Sequence, residues 1–440
     1  MIIHNRLRLS SARTVVNANT EDVKRGRLSR VSFHRSIAVA AANTLDNQRK
    51  YCAFMNSIAM YSLALFLAGL LSVISAASIQ SRQTTACNNS PDLCSKSYSS
   101  ITHLGAHDSP FVRDASTGYS TSGNQYYNST VQLDAGVRLL SAQVHKNNGD
   151  WHLCHSSCDL LDAGLLSDWL KDIKEWIDAN PNQVVTVLLV NSDGATSDQL
   201  HAEFTTAEIT SLAYKPTSNT SPPTSWPTLQ QFITATTPLL VFVASLDPAS
   251  ITTETSYLMD EFTFMFENTY ENTSPSDFSC SPDRPTAVKG NAETAISSNR
   301  MPLMNHFLYT QGALDIETPN VANISITNSP STTTVGELGT SLNTCSQQYG
   351  RAPTFVLVDF FDEGPSINAV DAINGITPTG RKALPARDTT TGRGDSSFVG
   401  VESLVEQVAG GDTPKKAAWI WGAGAWSFGG INLSGGDVVG

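Results

Sequence analysis

The sequence predicts an α/β fold: an irregular TIM-type (β/α)8 barrel built as one domain with long loops. Three observations point there. Eight strand-like segments alternate with helical ones between residues 101 and 361, the pattern of strands joined by crossover helices. Two of them, Val184–Val190 and Phe355–Val358, are near-continuous aliphatic or β-branched runs, as expected of strands covered on both faces. Polar groups gather at the carboxyl ends of these segments, where such a barrel keeps its chemistry. A doubly wound open sheet is the alternative, but no glycine-rich phosphate loop stands between a strand and a helix.

The front of the 440-residue chain is unlike the rest. Residues 1–54 carry ten Lys and Arg against three acids, although the whole chain is at −12. The remainder is therefore strongly acidic, which argues against binding nucleic acid or an anionic bilayer by charge. Residues 55–77 contain the apolar run Leu63–Leu71 followed by Ser75-Ala76-Ala77, the make-up of a secretory signal peptide cleaved near Ala77. The basic head 1–54 then reads as an upstream translation start or a presequence. A membrane anchor formed by 55–77 is the other option.

Six cysteines follow, Cys87, Cys94, Cys154, Cys158, Cys280 and Cys345. Fifteen pairings are open to them, with the local one (87/94, 154/158, 280/345) favoured, and they fit an oxidising compartment. A zinc site at Cys154-His155-Ser156-Ser157-Cys158 would want a second Cys/His pair at similar spacing, and none occurs. Six Asn-X-Ser/Thr sequons, at Asn88, Asn128, Asn219, Asn272, Asn323 and Asn432, agree with secretion.

The strands expected in order are 101–107, Val137–Val144, Trp151–His155, Val184–Asn191, Leu239–Ser245, Phe262–Glu267, Leu303–Tyr309 and Phe355–Phe361. The clearest helix, Ala163 to Ala179, sets Leu166, Trp169, Leu170, Ile173, Trp176 and Ile177 on one face and stops at Asn180-Pro181. Weaker helices fit Ser197–Leu212, Ala287–Asn299, Gly336–Tyr349 and Ser366–Ile373. Residues 214–230, 269–286 and 376–399 read as surface loops, the last of them mobile. Trp419, Trp421 and Trp426 lie among glycines in an extension, 376–440, expected to pack partly on a barrel spanning 78–375.

This strand assignment brings His107, Asp108, Gln143, His145, His155, Asn191, Glu267, Asn268 and Asp359 to one mouth. Two histidines with carboxylates in reach suit general base and general acid work near neutral pH. Gly105, two residues before His107, would let a side group or a ligand approach the backbone. Serine hydrolysis would want Gly-X-Ser-X-Gly, which is absent. A two-carboxylate glycosidase stays open, with no pair of acids singled out.

Four stretches in this order, Gly105-Ala106-His107-Asp108-Ser109, Gly136-Val137-Arg138-Leu139-Leu140, Leu153-Cys154-His155 and Val356-Leu357-Val358-Asp359-Phe360, carry a family resemblance. Together they resemble the X domain of phosphatidylinositol-specific phospholipase C, in its metal-independent bacterial form and in secreted fungal phosphodiesterases. The resemblance covers about residues 98–375. It implies a phosphodiester substrate, a phospholipid such as phosphatidylinositol, split without metal or other cofactor. It also implies that His107 is the general base with Asp359 behind it, and His155 the general acid with Asp108 behind it.

The chain departs from the pattern at Gln143, where the bacterial enzymes have an arginine that stabilises phosphate charge. It departs again at Asn191, where they have a lysine. Gln143, His145, Asn191 and Glu267 are accordingly the expected substrate-binding groups, with His145 a substitute cation if its pKa is raised. Arg138 is an odd number of residues from Gln143 and so should face away. The expected protein is a secreted monomer touching a membrane surface transiently. A catalytically weak binding barrel and a metal-dependent phosphodiesterase are the alternatives.

Overall fold

The structure is a computed structural model that describes residues 86–312 and 317–387. The basic head, the 55–77 leader, Asn432 and the tryptophans of the tail lie outside the described residues. Twelve strands are described: β1 (His103–Ala106), β2 (Leu139–Asn147), β3 (Asp150–Cys154), β4 (Asp162–Leu165), β5 (Val185–Asn191), β6 (Leu239–Ala244), β7 (Leu258–Asp260), β8 (Met265–Glu267), β9 (Met301–Asn305), β10 (Tyr309–Gln311), β11 (Glu317–Pro319) and β12 (Phe355–Val358). Eight of them form one parallel sheet in the order β7-β6-β5-β2-β1-β12-β9-β8.

The sheet curls into an irregular TIM-type barrel that is open at one seam. Among the described residues no ladder joins β7 to β8. The four-residue helix Glu261–Phe264 links these two edges directly, so the chain itself bridges the gap and the edges stay within a few residues' reach of each other.

Strand alternation sorts the side chains into two cores. Leu139, Leu188, Leu240, Phe242, Leu303, Phe355 and Leu357 fill the barrel together with Tyr98, Trp226 and Phe232, which plug its lower end. Leu140, Val144, Val187, Val241, Val356 and Val358 face outward against the helices. In helix Leu166–Ala179 the buried residues are those the spacing selects, Leu166, Trp169, Leu170, Ile173, Trp176 and Ile177 among them. Both indoles are core, donating to Ser129 Oγ (2.8 Å) and Asp134 Oδ1 (2.7 Å).

Gly105 serves the inner core rather than a ligand. A Cβ there would stand 2.7 Å from Leu357 Cδ2 and 3.0 Å from Leu139 Cδ2, so the glycine makes room for two leucines of adjacent strands.

The strand expectations need two corrections. Residues 151–155 are a strand, but an antiparallel one: β3 folds back on β2 through Asn148 and Gly149, both at positive φ. That is the two-residue Asn-Gly hairpin, and its signal stands in the sequence. The expected strand 262–267 divides into helix Glu261–Phe264 and β8, preceded by β7. The count of eight barrel strands survives because β7 takes the place of β3. Among the described residues, helices Ser129–Ala135 and Leu229–Thr234 were not expected.

The segment 376–387 is tied down rather than loose. Arg381 makes two hydrogen bonds to Asp371 (2.6 Å each), Thr379 N donates to Asn89 O (2.7 Å), and Arg387 pairs with Glu363 (2.7 Å) over the ring of Tyr126. Three disulfides join Cys87–Cys94, Cys154–Cys158 and Cys280–Cys345, and they fit an extracellular protein. Among the described residues no helix is long and apolar enough to cross a membrane.

Candidate active site

The mouth of the barrel is built where β1, β2 and β12 end. β1 stops at Ala106, and His107 N donates to Val358 O at 2.9 Å, so the imidazole follows the inward side of the strand. Alternation would send the next residue outward. Asp108 instead takes φ +48, which turns its carboxylate back into the mouth. The residues after His155 and Asp359 also have left-handed backbone, Ser156 at φ +60 and Phe360 at φ +42. Left-handed backbone at non-glycine residues costs of order 1–3 kcal/mol each and gathers where function over-determines the chain.

His107 is 1 % exposed, and its ring lies flat on Phe307, 3.8 Å between centroids and 5° from parallel. Its Nδ1 is 2.9 Å from Asp359 Oδ1, which also accepts from Asn124 Nδ2 at 2.9 Å. Gln125 Nε2 donates to His107 O (2.7 Å) and Val358 O (3.1 Å), stitching the two strand ends. Asp108 Oδ2 is 3.7 Å from Nε2 of His107 and 3.7 Å from Nε2 of His155. Both distances exceed hydrogen-bond length. Asp108 therefore stands between the two imidazoles, where the resemblance puts it behind His155. Nδ1 of His155 has Ser156 Oγ at 3.2 Å instead.

The charges follow from burial and neighbours. Burial works to lower the His107 pKa, but Asp108 and Asp359 together outweigh it and raise it. His155 is driven to about 3 by burial, with His107 adding to the effect. Burial lifts Asp108 to about 6 against the pull of His107 and Gln143. By these shifts His107 holds a proton more readily than His155 does. The phenol of Tyr309 is held well above its usual range by burial, Asp359 and Asp108, so it stays a donor.

The four expected substrate groups fare differently. Gln143 reaches the site, with Nε2 donating to Asp108 Oδ2 at 2.7 Å and Oε1 accepting from Ser156 N at 2.8 Å. Glu267 reaches it too, but it is paired with Arg284 and accepts from Asn305 Nδ2 at 2.7 Å. Asn191 does not. It has the parity of Val187 and Leu189, which face outward, and its amide closes a turn on Ala195, 2.8 and 2.7 Å. His145 is on the β2–β3 hairpin beside Asp193 at 3.4 Å, and burial lowers its pKa against that carboxylate. The raised pKa that a substitute cation would need is not favoured there, although its charge would act on His155. Arg138 faces away as its spacing requires, donating to Asn89 Oδ1 (2.6 Å) and Leu133 O (2.8 Å).

Sequence reading does not pick out Asn124, Phe307, Tyr309 or Arg284. None carries a local motif, and only the tertiary fold brings them to the mouth. Among the described residues the group with metal-ligand geometry is Cys154, Cys158 and Asp162, and its two sulfurs are joined to each other, so it offers no thiolate. A recess of about 690 Å³ beside Tyr214, Lys215 and Thr237 lies near the start of β6, where Ala213 bridges Leu239, and none of the His/Asp set lines it.

Comparison with known proteins points to one family. The family model described as PI-PLC X 1 matches residues 93–374. "PI-PLC X domain-containing protein 1" of Arthroderma benhamiae is 35 % identical over 309 residues, 70 % of this chain and 95 % of that protein. An "Uncharacterized secreted protein" of the same fungus is 32 % identical over 311 residues, 69 % of this chain and 67 % of its own length. Among solved structures, the phosphatidylinositol-specific phospholipase C of Listeria monocytogenes aligns at 13 % identity and TM-score 0.40, covering 64 % of this chain and 95 % of that one. A phosphatidylinositol-specific phospholipase C of Staphylococcus aureus aligns at 12 % and 0.41, covering 66 % and 98 %.

Proposed function

The chain belongs to the PI-PLC X domain family, and from that premise we propose that it is a secreted phosphoric diester hydrolase of phospholipase C type, acting on a phospholipid such as phosphatidylinositol. Its membership supports a phospholipase C-like phosphodiesterase. The observation that carries the finer reading is the pair of imidazoles facing one carboxylate oxygen at 3.7 Å, with Asp359 on the far nitrogen of His107.

In this reading His107 Nε2 takes the proton from the hydroxyl that attacks phosphorus, and His155 Nε2 gives one to the alcohol that leaves. For phosphatidylinositol the attacking hydroxyl is the inositol's own, so the products are a cyclic inositol phosphate and diacylglycerol. Asp359 fixes the His107 tautomer and stabilises the imidazolium formed there. The active state holds one proton on the pair, on His155. The protein by itself favours that proton on His107. Asp108, level with both Nε2 atoms, lies where a proton would pass between them. The phosphodiester anion raises the His155 pKa when it binds.

A second reading has its own support. With Gln143 engaged by Asp108 and Ser156, no arginine meets the phosphate from that position, and the barrel would then bind phosphodiesters with little turnover.

One experiment separates the readings. The purified protein is incubated with phosphatidylinositol vesicles and with bis(p-nitrophenyl) phosphate, with and without chelator, alongside His107→Ala and His155→Ala. Turnover that survives chelator and is lost in both variants supports the hydrolase. Folded protein without turnover supports the binding barrel, and loss with chelator supports a metal-dependent phosphodiesterase.

A further inference from the structure

Gln143 is 4 % exposed and both ends of its amide are committed inside the protein. Its orientation is fixed by its partners: a carboxylate oxygen only accepts, and a backbone N–H only donates. Nε2 therefore faces Asp108 and Oε1 faces Ser156 N. The oxygen it holds on Asp108 is the one standing 3.7 Å from both imidazoles. The N–H it holds belongs to the residue after His155, inside the loop closed by Cys154–Cys158 and at φ +60.

We propose that Gln143 is a positioning residue, joining Asp108 to the His155 loop so that both imidazoles address one carboxylate oxygen, and that it does not meet the substrate. The claim rests on the reading of His107 and His155 as an acid–base pair. It also accounts for the residue type. Arginine would donate to Asp108 but cannot accept from Ser156, and glutamate would accept from Ser156 but repel Asp108. Asparagine is one methylene short. Glutamine carries a donor and an acceptor at the required reach.

The test uses Gln143→Arg, Gln143→Glu and Gln143→Leu in the full secreted protein. Ester hydrolysis, binding of inorganic phosphate and the NMR titration of the His107 and His155 rings are measured for each, and thermal unfolding checks folding. If Gln143 merely fills an arginine's place at the phosphate, Gln143→Arg raises kcat/KM and tightens phosphate binding. The positioning role predicts the opposite, a fall in kcat of about 10²-fold with phosphate binding no tighter.

Gln143→Glu, close in shape, should move the His107 titration to higher pH, because it adds negative charge. Gln143→Leu should move it lower, because Asp108 loses the donor that keeps it ionised. A gain with arginine overturns the proposal, and so do imidazole titrations that stay in place in the Glu and Leu variants. If the wild type splits neither ester, the hydrolase reading falls while the titrations still decide the role of Gln143. An unfolded Arg variant leaves the other two to decide it.

Discussion

Nδ1 of His107 lies 2.9 Å from Oδ1 of Asp359 across 252 positions of sequence. A proton donated along that line leaves Nε2 as the reactive atom and keeps the ring charged to higher pH than usual. Asp359→Asn removes one of the two carboxylates that raise the His107 pKa. The one-proton state then loses its last proton at lower pH, so the alkaline limb of the kcat/KM profile should move down. The rate at the optimum should fall about 10²–10⁴-fold. Macroscopic values belong to the coupled pair, so the movement of the limb is the readout. An alkaline limb unmoved in Asp359→Asn would show that this carboxylate does not govern His107.

Phe307 holds the plane of the same ring, with its centroid 3.8 Å from that of His107, and is itself buried. Phe307→Ala should cost about 3–5 kcal/mol in urea unfolding, the usual result of emptying a buried aromatic site. It should also lower kcat by more than Phe307→Leu, which refills most of the volume without the flat face. Equal activity in the Ala and Leu variants would reduce Phe307 to plain core.

Much of this was legible in the sequence, and what was missed has physical reasons. β5 and β12 are long enough in apolar residues to announce themselves, and the His-Asp pair at the end of β1 breaks a strand in plain view. β7 is three residues long and rests on hydrogen bonds to β6, so no local pattern marks it. Residues 151–155 alternate like a strand, and a strand they are. Only the Asn-Gly turn before them says that they return beside β2 instead of crossing over.

At the site, His107, Asp108, His155 and Asp359 could be found because each stands at a strand end. Asn191 looks equivalent until one counts parity from Leu188 and finds it outward. Gln143 looked like a lost phosphate ligand. Its two hydrogen-bond partners are on other strands and loops, beyond the reach of spacing arguments.

His103 supplies a prediction about stability. It is 3 % exposed at the lower end of the barrel, stacked on Phe355 (5.5 Å) and near Tyr98 (4.8 Å), and burial takes its pKa to about 4. The folded ring stays neutral while the unfolded one gains a proton below about 6.5. Stability is therefore complete above that pH and lost as pH falls toward 4. The loss is on the order of 3 kcal/mol for a shift of this size. His103→Gln should be less stable than wild type at pH 7, because it loses ring packing, and the gap should narrow by about that amount at pH 4. Urea unfolding of both proteins at the two pH values measures it, and a gap that stays constant or widens would mean that His103 titrates normally in the fold.

The sequons make a last prediction, because burial separates them. Asn88 is 6 % exposed, with its amide bonded to Val184 N (2.7 Å) and Val184 O (3.2 Å), and Asn272 is fully buried. A glycan on either could not coexist with this fold, since a bulky hydrophilic group cannot enter a packed interior. Asn219 and Asn323 are half-buried and spend Nδ2 on Ser256 O and Asn320 Oδ1, both at 3.1 Å. Asn128 differs: it is exposed, and Oδ1 caps helix Ser129–Ala135 through Val131 N at 3.0 Å. Its Nδ2, the atom a glycan would take, makes no hydrogen bond among the described residues. Peptide mass spectrometry after deglycosylation in heavy-oxygen water should find Asn128 converted and Asn88 and Asn272 untouched. A protein with no glycan anywhere would count against export through the secretory route. Glycans on other sequons with Asn128 bare, or occupancy at Asn88 or Asn272 in folded protein, would instead count against the burial argument made for these sites.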